Sequence, residues 1–134
     1  MYLVDTNVLS EARRDNREAQ AWLRSVDAAA VYMSVITLGE IIKGIALKAR
    51  TDARVAAPLA IWLETLRRDY RDRIVPISDD VALAWGRLSA ERPRAMADEL
   101  IAATAAVHDK IIVTRNVGDF ADTGVPVINP RSLS

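Results

Sequence analysis

At 134 residues, with 51% apolar side chains and no cysteine, the chain is expected to form a single domain, residues 1–134, with a hydrophobic core of its own. The missing cysteines exclude a disulfide framework and a thiolate metal site. Eighteen basic and eighteen acidic residues cancel, so no global charge draws the chain to nucleic acid.

The cations are Lys43, Lys48, Lys110 and otherwise arginine, whose planar fork suits phosphate. An arginine-rich background explains that choice equally well, so a nucleic-acid surface has to come from local arrangement. The start, Met1-Tyr-Leu-Val-Asp5, carries a charge at its fifth residue and leaves no apolar stretch for a signal peptide. No run approaches the roughly 18 apolar residues of a membrane helix. A soluble cytoplasmic protein with no membrane partner is expected.

Residues 2–4 read as a short strand that ends at Asp5-Thr6-Asn7, polar residues suited to capping a helix. A helical pattern from Val8 to about Val26 is interrupted near Asp15-Asn16. Residues 30–33 read as a second strand, followed by a helix from about Thr37 to Ala49. Val55, Leu59, Trp62, Leu63 and Leu66 mark a helix over 52–69, with Pro58 as a kink or a new start. Ile74, Val75 and Ile77 bracket Pro76, which makes this strand short and places it at an edge. Val81, Ala84, Trp85 and Leu88 give a helix over 79–92, capped by Asp79 or Asp80. Pro93 divides it from a helix over 97–107, and Ile111 to Thr114 form a buried strand. Val125 to Ile128, interrupted by Pro126, reads as a weaker last strand. Helices alternating with uniformly apolar strands predict a three-layer α/β domain around a mostly parallel sheet of four to five strands.

In such a sheet, ligands sit beyond the carboxyl ends of the strands. Asp5 follows the first strand directly. Glu40 falls in the first turn of the helix leaving the second, and Asp119 lies in the loop after the strand at 111–114. The helix 97–107 runs toward the start of that strand, so its own beginning, with Asp98, returns to the same edge. Lys43 and Arg115 are the cations nearest to hand for neutralising these acids. Carboxylates crowded on one rim raise each other's pKa, and a hard divalent cation relieves the repulsion. Oxygen ligands with no cysteine and a single distant histidine, His108, favour Mg²⁺ or Mn²⁺. The chemistry implied is phosphodiester hydrolysis by a metal-activated water.

Each acid also has an ordinary structural reading. Asp5 and Asn7 suit N-caps, and Thr37-Leu-Gly-Glu40 matches a capping box. Asp98 and Glu99 suit the first turn of any helix, Asn116-Val-Gly-Asp119 is turn chemistry, and His108 suits a helix C-terminus. Trp22, Trp62 and Trp85 read as core packing.

Four stretches carry a family resemblance. They are Leu3-Val-Asp5-Thr-Asn7-Val-Leu-Ser10-Glu11, Ser34-Val-Ile-Thr-Leu-Gly-Glu40-Ile, Asp98-Glu-Leu-Ile-Ala-Ala-Thr104 and Val113-Thr-Arg-Asn116-Val-Gly-Asp119-Phe120. In this order they resemble the PIN-domain family, and within it the VapC toxins of bacterial toxin–antitoxin pairs. The resemblance implies a PIN-like α/β/α fold and an endoribonuclease that cuts tRNA, rRNA or mRNA. It implies Mg²⁺ held by Asp5, Glu40, Asp98 and Asp119, with Asn7, Thr114 and Asn116 in support and Arg115 grouped with them. It also implies a homodimer, a VapB-like antitoxin covering the site, and DNA binding only through that antitoxin. The stretch Pro93-Arg-Ala-Met-Ala is shorter than in many relatives, which leaves the rim near Asp98 more open.

Other classes fit less well. An aspartyl phosphatase wants a second acid two residues after Asp5, where Asn7 stands, and a receiver domain places its acidic pair differently. A non-catalytic PIN-like module, its acids holding a structural ion or an arginine-bearing partner, remains the alternative.

Overall fold

A computed structural model describes residues 1–133, without the side chain of Leu133. Its strands are β1 (Tyr2–Val4), β2 (Val31–Ser34), β3 (Ile74–Val75), β4 (Ile111–Val113) and β5 (Val127–Ile128). Its α-helices are α1 (Thr6–Arg13), α2 (Arg17–Ser25), α3 (Val35–Thr51), α4 (Ala53–Asp69), α5 (Asp79–Ser89) and α6 (Met96–Val107). Single 3₁₀ turns occupy Ala28–Ala30, Val117–Phe120 and Pro130–Leu133.

The strands order as β3-β2-β1-β4-β5, and every pairing is parallel. The chain therefore steps outward in one direction (β1, β2, β3), returns past β1, and steps outward again (β4, β5). Right-handed crossovers put helices on one face for the first direction and on the other for the second. The two core clusters follow that rule. Val4, Val31, Met33 and Val113 pack with Val8, Trp22, Ile41 and Leu66 of α1 to α4. Leu3 and Ile112, one residue out of phase, pack with Ile101, Ala102 and Ala105 of α6 and with Phe120. Alternate residues of each strand thus feed opposite layers, as the pleat requires, and the three-layer α/β/α fold expected from the sequence is present.

Local chemistry sets the boundaries. Asp15 has a left-handed φ of 64°, and the Asn16 side chain accepts from the Ala19 N–H at 2.9 Å, so α1 stops and α2 starts at the predicted break. The helix α4 runs through Pro58, which is neither its start nor its end. Three expectations need correction. α5 is capped by Ser78, which accepts from the Val81 N–H at 3.3 Å, so Asp79 and Asp80 lie inside its first turn. The last strand is confined to Val127–Ile128, because Pro126 has no N–H and contributes only its carbonyl, 3.0 Å from the Ile112 N–H. The third concerns α3, which begins at Val35, two residues before Thr37.

Trp22 is 5% exposed and meets Tyr2 edge-on at 5.1 Å between centroids, while Trp62 borders the same cluster. Arg73, foreseen by no pattern, donates to the Ala28, Val31 and Asp69 carbonyls at 2.6–2.7 Å and tethers the end of α4 to the start of β2.

The capping of α5 is testable by denaturant unfolding. Ser78→Ala should cost about 1 kcal/mol. Asp79→Asn, which loses only a favourable helix-dipole charge, should cost roughly 0.3 kcal/mol.

Candidate active site

The turning point of the strand order lies between β1 and β4, where neighbouring connections leave in opposite directions and open a crevice at the carboxyl edge. The residue just beyond each of these strands lies there. Asp5 extends the β1 ladder by one bond, its N–H donating to the Val113 carbonyl at 2.9 Å. Thr114, one residue past β4, is fully buried.

Asp5, 7% exposed, accepts three hydrogen bonds. The Thr6 N–H donates to Oδ1 at 2.8 Å, while the Thr114 hydroxyl and the Asn7 amide donate to Oδ2 at 2.9 and 3.3 Å. The capping reading of Asp5 is thus correct as far as it goes. A carboxylate offers about four lone-pair directions, however, so the cap and its neighbours do not exhaust it. Burial pushes the Asp5 carboxyl above the usual range, against the lowering effect of the Thr114 and Thr6 bonds, and Asp119 adds to the rise.

Around Thr114 the polar groups interlock. Its hydroxyl also accepts from the Asn7 amide at 3.2 Å and from the Asn116 N–H at 3.0 Å. The Asn7 carbonyl oxygen accepts from the Arg115 N–H at 3.1 Å. Asn7, Thr114 and Asn116 therefore converge on Asp5, with Asn116 contributing through its backbone. The Arg115 side chain departs from expectation: its guanidinium pairs with Glu11, so it neutralises none of the four rim acids. Lys43 enters no ion pair among the described residues either.

Glu40 is the sixth residue of α3, not part of its first turn. Ser34, whose Oγ accepts from the Ile36 N–H at 3.0 Å, is the cap, and the capping box from Thr37 to Glu40 does not form. Instead Glu40 is exposed and accepts from the Thr6 hydroxyl at 2.8 Å. Thr6 was not among the predicted residues; its place between Asp5 and Asn7 was the only sequence signal.

Asp98 is the third residue of α6, a helix with no side-chain cap. Its carboxyl is raised to about 6, first by burial and then by the charges of Asp119, Asp5 and Glu40. All four predicted acids therefore share one electrostatic neighbourhood centred on Asp98. Asp119 is exposed in the 3₁₀ turn after β4, and only its N–H, donating to the Asn116 carbonyl at 3.1 Å, takes part in the turn. Among the described residues, no ion pair includes any of the four acids, and neither Asp98 nor Asp119 accepts a side-chain hydrogen bond. His108 stands at the opposite end of α6 and is exposed.

The donor chemistry, oxygen ligands without a counter-ion, suits a hard divalent cation. The spacing is looser than a coordination shell: among the described residues, no group of three or more acids or histidines is gathered closely enough to hold an ion as it stands. Beside Glu40, a groove of about 240 Å³ is lined by Thr6, Ile41 and Trp62 and by the cations Arg13, Arg14 and Lys48. No helix among the described residues is long and apolar enough to cross a membrane.

The model of the PIN domain matches residues 2–125. The chain is 34% identical over 137 residues to toxin FitB of Neisseria gonorrhoeae, covering 97% of this chain and 98% of the relative. The crystal structure of FitAcB from the same organism superposes with a TM-score of 0.88 at 34% identity, over 98% of this chain and 99% of that one. A second relative, VapC ribonuclease Y4jK of Sinorhizobium fredii, is 29% identical over 97% of both chains. The toxin–antitoxin complex from Klebsiella pneumoniae gives a TM-score of 0.70 at 31% identity, over 97% of this chain and 98% of that one. A match from the first strand to the edge of the last, with relatives aligned nearly end to end, decides the family: the chain belongs to the PIN domain family.

Proposed function

We propose that the protein is a Mg²⁺- or Mn²⁺-dependent endoribonuclease, the toxin of a toxin–antitoxin pair, hydrolysing RNA at the rim formed by Asp5, Glu40, Asp98 and Asp119. The observation that carries this reading is that the Asp98 carboxyl lies in the field of three further carboxylates, Asp119, Asp5 and Glu40, while none of the four is in an ion pair among the described residues. The similarity to a VapC ribonuclease and to toxin FitB supports the substrate class and the biological role. A divalent cation held there supplies charge neutralisation for a phosphodiester and lowers the pKa of a water to be used as nucleophile.

The protein's own groups have separable tasks. Asp5 is held fixed by Thr6, Asn7 and Thr114, which makes it the rigid ligand of the set. Glu40 is steered by the Thr6 hydroxyl. Asp98 and Asp119, whose carboxylates accept no hydrogen bond among the described residues, have the freedom to close toward a cation. Arg13, Arg14 and Lys48 give an RNA backbone local cations despite the neutral total. Uncompensated acids also fit an antitoxin that presents a cation to the rim, with DNA contacted only through that antitoxin. Ile42, Leu47 and Ile61 leave apolar surface on the outer faces of α3 and α4, consistent with a homodimer.

Asp98→Asn should abolish RNA cleavage and growth arrest while preserving the circular-dichroism spectrum; a variant that still arrests growth at equal expression overturns the assignment. Glu40→Gln should lose cleavage with a change in unfolding free energy below about 1 kcal/mol, since the exposed bond to Thr6 is all it weakens. Lost stability with retained cleavage would restore the structural reading of Glu40.

The raised Asp98 carboxyl fixes the sign of a pH effect. Its value of about 6 in the fold, against 3.8 unperturbed, means that the folded protein holds this proton more tightly than the unfolded chain. Without metal, its stabilising contribution is complete below pH 4 and is lost as pH rises to 6 and beyond. In EDTA, wild type should therefore lose melting temperature between pH 4 and 7, and Asp98→Asn should lose less and melt at or above wild type at pH 7. Millimolar Mg²⁺ should raise the wild-type melting temperature and move the variant much less. Neutralising Asp5 and Asp119 together should weaken antitoxin binding in a titration; unchanged affinity would mean that the antitoxin docks by shape or elsewhere.

A further inference from the structure

Arg94, in the turn between α5 and α6, is an arginine whose side chain is only 3% exposed. Its Nη1 donates to the Leu88 carbonyl near the end of α5 at 2.9 Å, and its Nη2 donates to Glu91 at 3.3 Å. Its Nε donates to Asp122 at 3.4 Å, and Nη1 lies 4.0 Å from the carboxylate of Glu99, itself 4% exposed. Two of these partners are placed tellingly. Glu99 directly follows Asp98 on α6, and Asp122 follows Asp119 by three residues, just past the 3₁₀ turn that carries it. Successive helix positions lie about 100° apart, so Asp98 reaches the rim while Glu99 turns inward to the guanidinium.

The two acids that accept no hydrogen bonds are therefore not loose at the backbone. Each is borne on a segment with a neighbouring carboxylate that pairs with the same arginine, Asp122 pairing with Arg92 as well, and a planar fork with five donors can serve several partners at once. We propose that Arg94 is a positioning residue of the metal site, setting the separation of Asp98 and Asp119 by binding Glu99 and Asp122. This rests on the metal-site reading above. Arg94 touches neither the rim carboxylates nor the place of a substrate; it acts through the two segments. Removing it leaves Glu99 buried without a cation and lets the turn carrying Asp119 drift from α6.

The test reads Mn²⁺ binding by electron paramagnetic resonance on the full chain, apart from any cleavage assay. Arg94→Gln should weaken Mn²⁺ binding about tenfold or more, the scale typical when residues that orient metal ligands are removed. Arg94→Lys should recover only part of the loss. Asp122→Asn, at an exposed position, breaks the Arg94 arm and the Arg92 pair without leaving a buried charge, and should weaken Mn²⁺ binding severalfold with little change in melting temperature. Leu66→Ala, in the core on the other face of the sheet, serves as a control that lowers the melting temperature without touching either segment. Its Mn²⁺ affinity should match wild type while it stays folded. Wild-type affinity in both Arg94→Gln and Asp122→Asn, or an equal loss in Leu66→Ala, overturns the positioning role and leaves the metal site standing. Absence of Mn²⁺ binding by wild type overturns the site and the inference with it.

Discussion

The pairing of β1 with strands on both sides is the constraint on which the other features depend. β1 has only three residues, yet it takes parallel partners on both edges, Val31–Tyr32 of β2 and Ile111–Val113 of β4. A strand buried on both faces and both edges must be apolar throughout, and Leu3 and Val4 are fully buried. The first residue that can be charged is the one where the ladder ends. Asp5 stands there, still bonded through its N–H to Val113, so its position is fixed by the central sheet to the precision of a backbone hydrogen bond. The β4 strand ends alongside it, which delivers Thr114 to its carboxylate.

From this fixed point the remaining acids enter at a cost. Unit charges about 4 Å apart repel by roughly 1–4 kcal/mol at surface-like dielectric, a large share of a stability of about 5–15 kcal/mol. The metal-free fold lowers that cost in two ways. It holds the acids farther apart than an ion's ligands would be, and it lets Asp98 keep its proton to about pH 6. At the proposed metal site a bound cation would reverse both, by offering the opposite charge to the acids.

Much of this was legible in the sequence because it rests on local or topological rules. The apolar runs of β1 and β4, the break at Asp15-Asn16 and the edge position of β3 follow from single segments. The convergence of the four acids follows from where helices and strands must start and stop in a parallel sheet. The start of α3 was less legible, since Val35 and Ile36 are β-branched and continue the strand pattern of Val31–Ser34, while Ser34 and Thr37 are both competent caps. The choice is made by tertiary pairing: Ser34 is opposite Val75, the last residue of β3, and the ladder has no partner to offer beyond it. Moving the cap by three residues turns Glu40 from a capping partner into a side chain free to meet Thr6. The destination of Arg115 was illegible for a similar reason, because its pairing with Glu11 depends on α1 lying beside the end of β4.

The two halves of the rim are anchored by different physics, and the difference matches their tasks. Asp5 and Glu40 are tied by hydroxyls, the Asn7 amide and the Thr6 N–H: short-range directional bonds that fix orientation. The neighbours of Asp98 and Asp119, Glu99 and Asp122, share one guanidinium with Glu91, and on the proposed reading this ties the two acids one step removed. The Arg94 contacts, hydrogen bonds to Glu91 and Asp122 and a longer ion pair to Glu99, span 3.3–4.0 Å, and their Coulomb part falls slowly with distance. On the proposed reading, Asp5 and Glu40 form a fixed jaw built on the end of β1 and on α3, and Asp98 and Asp119 a compliant jaw built on α6 and the turn after β4. In the proposed metal site, closing around a cation would ask for movement only from that second half.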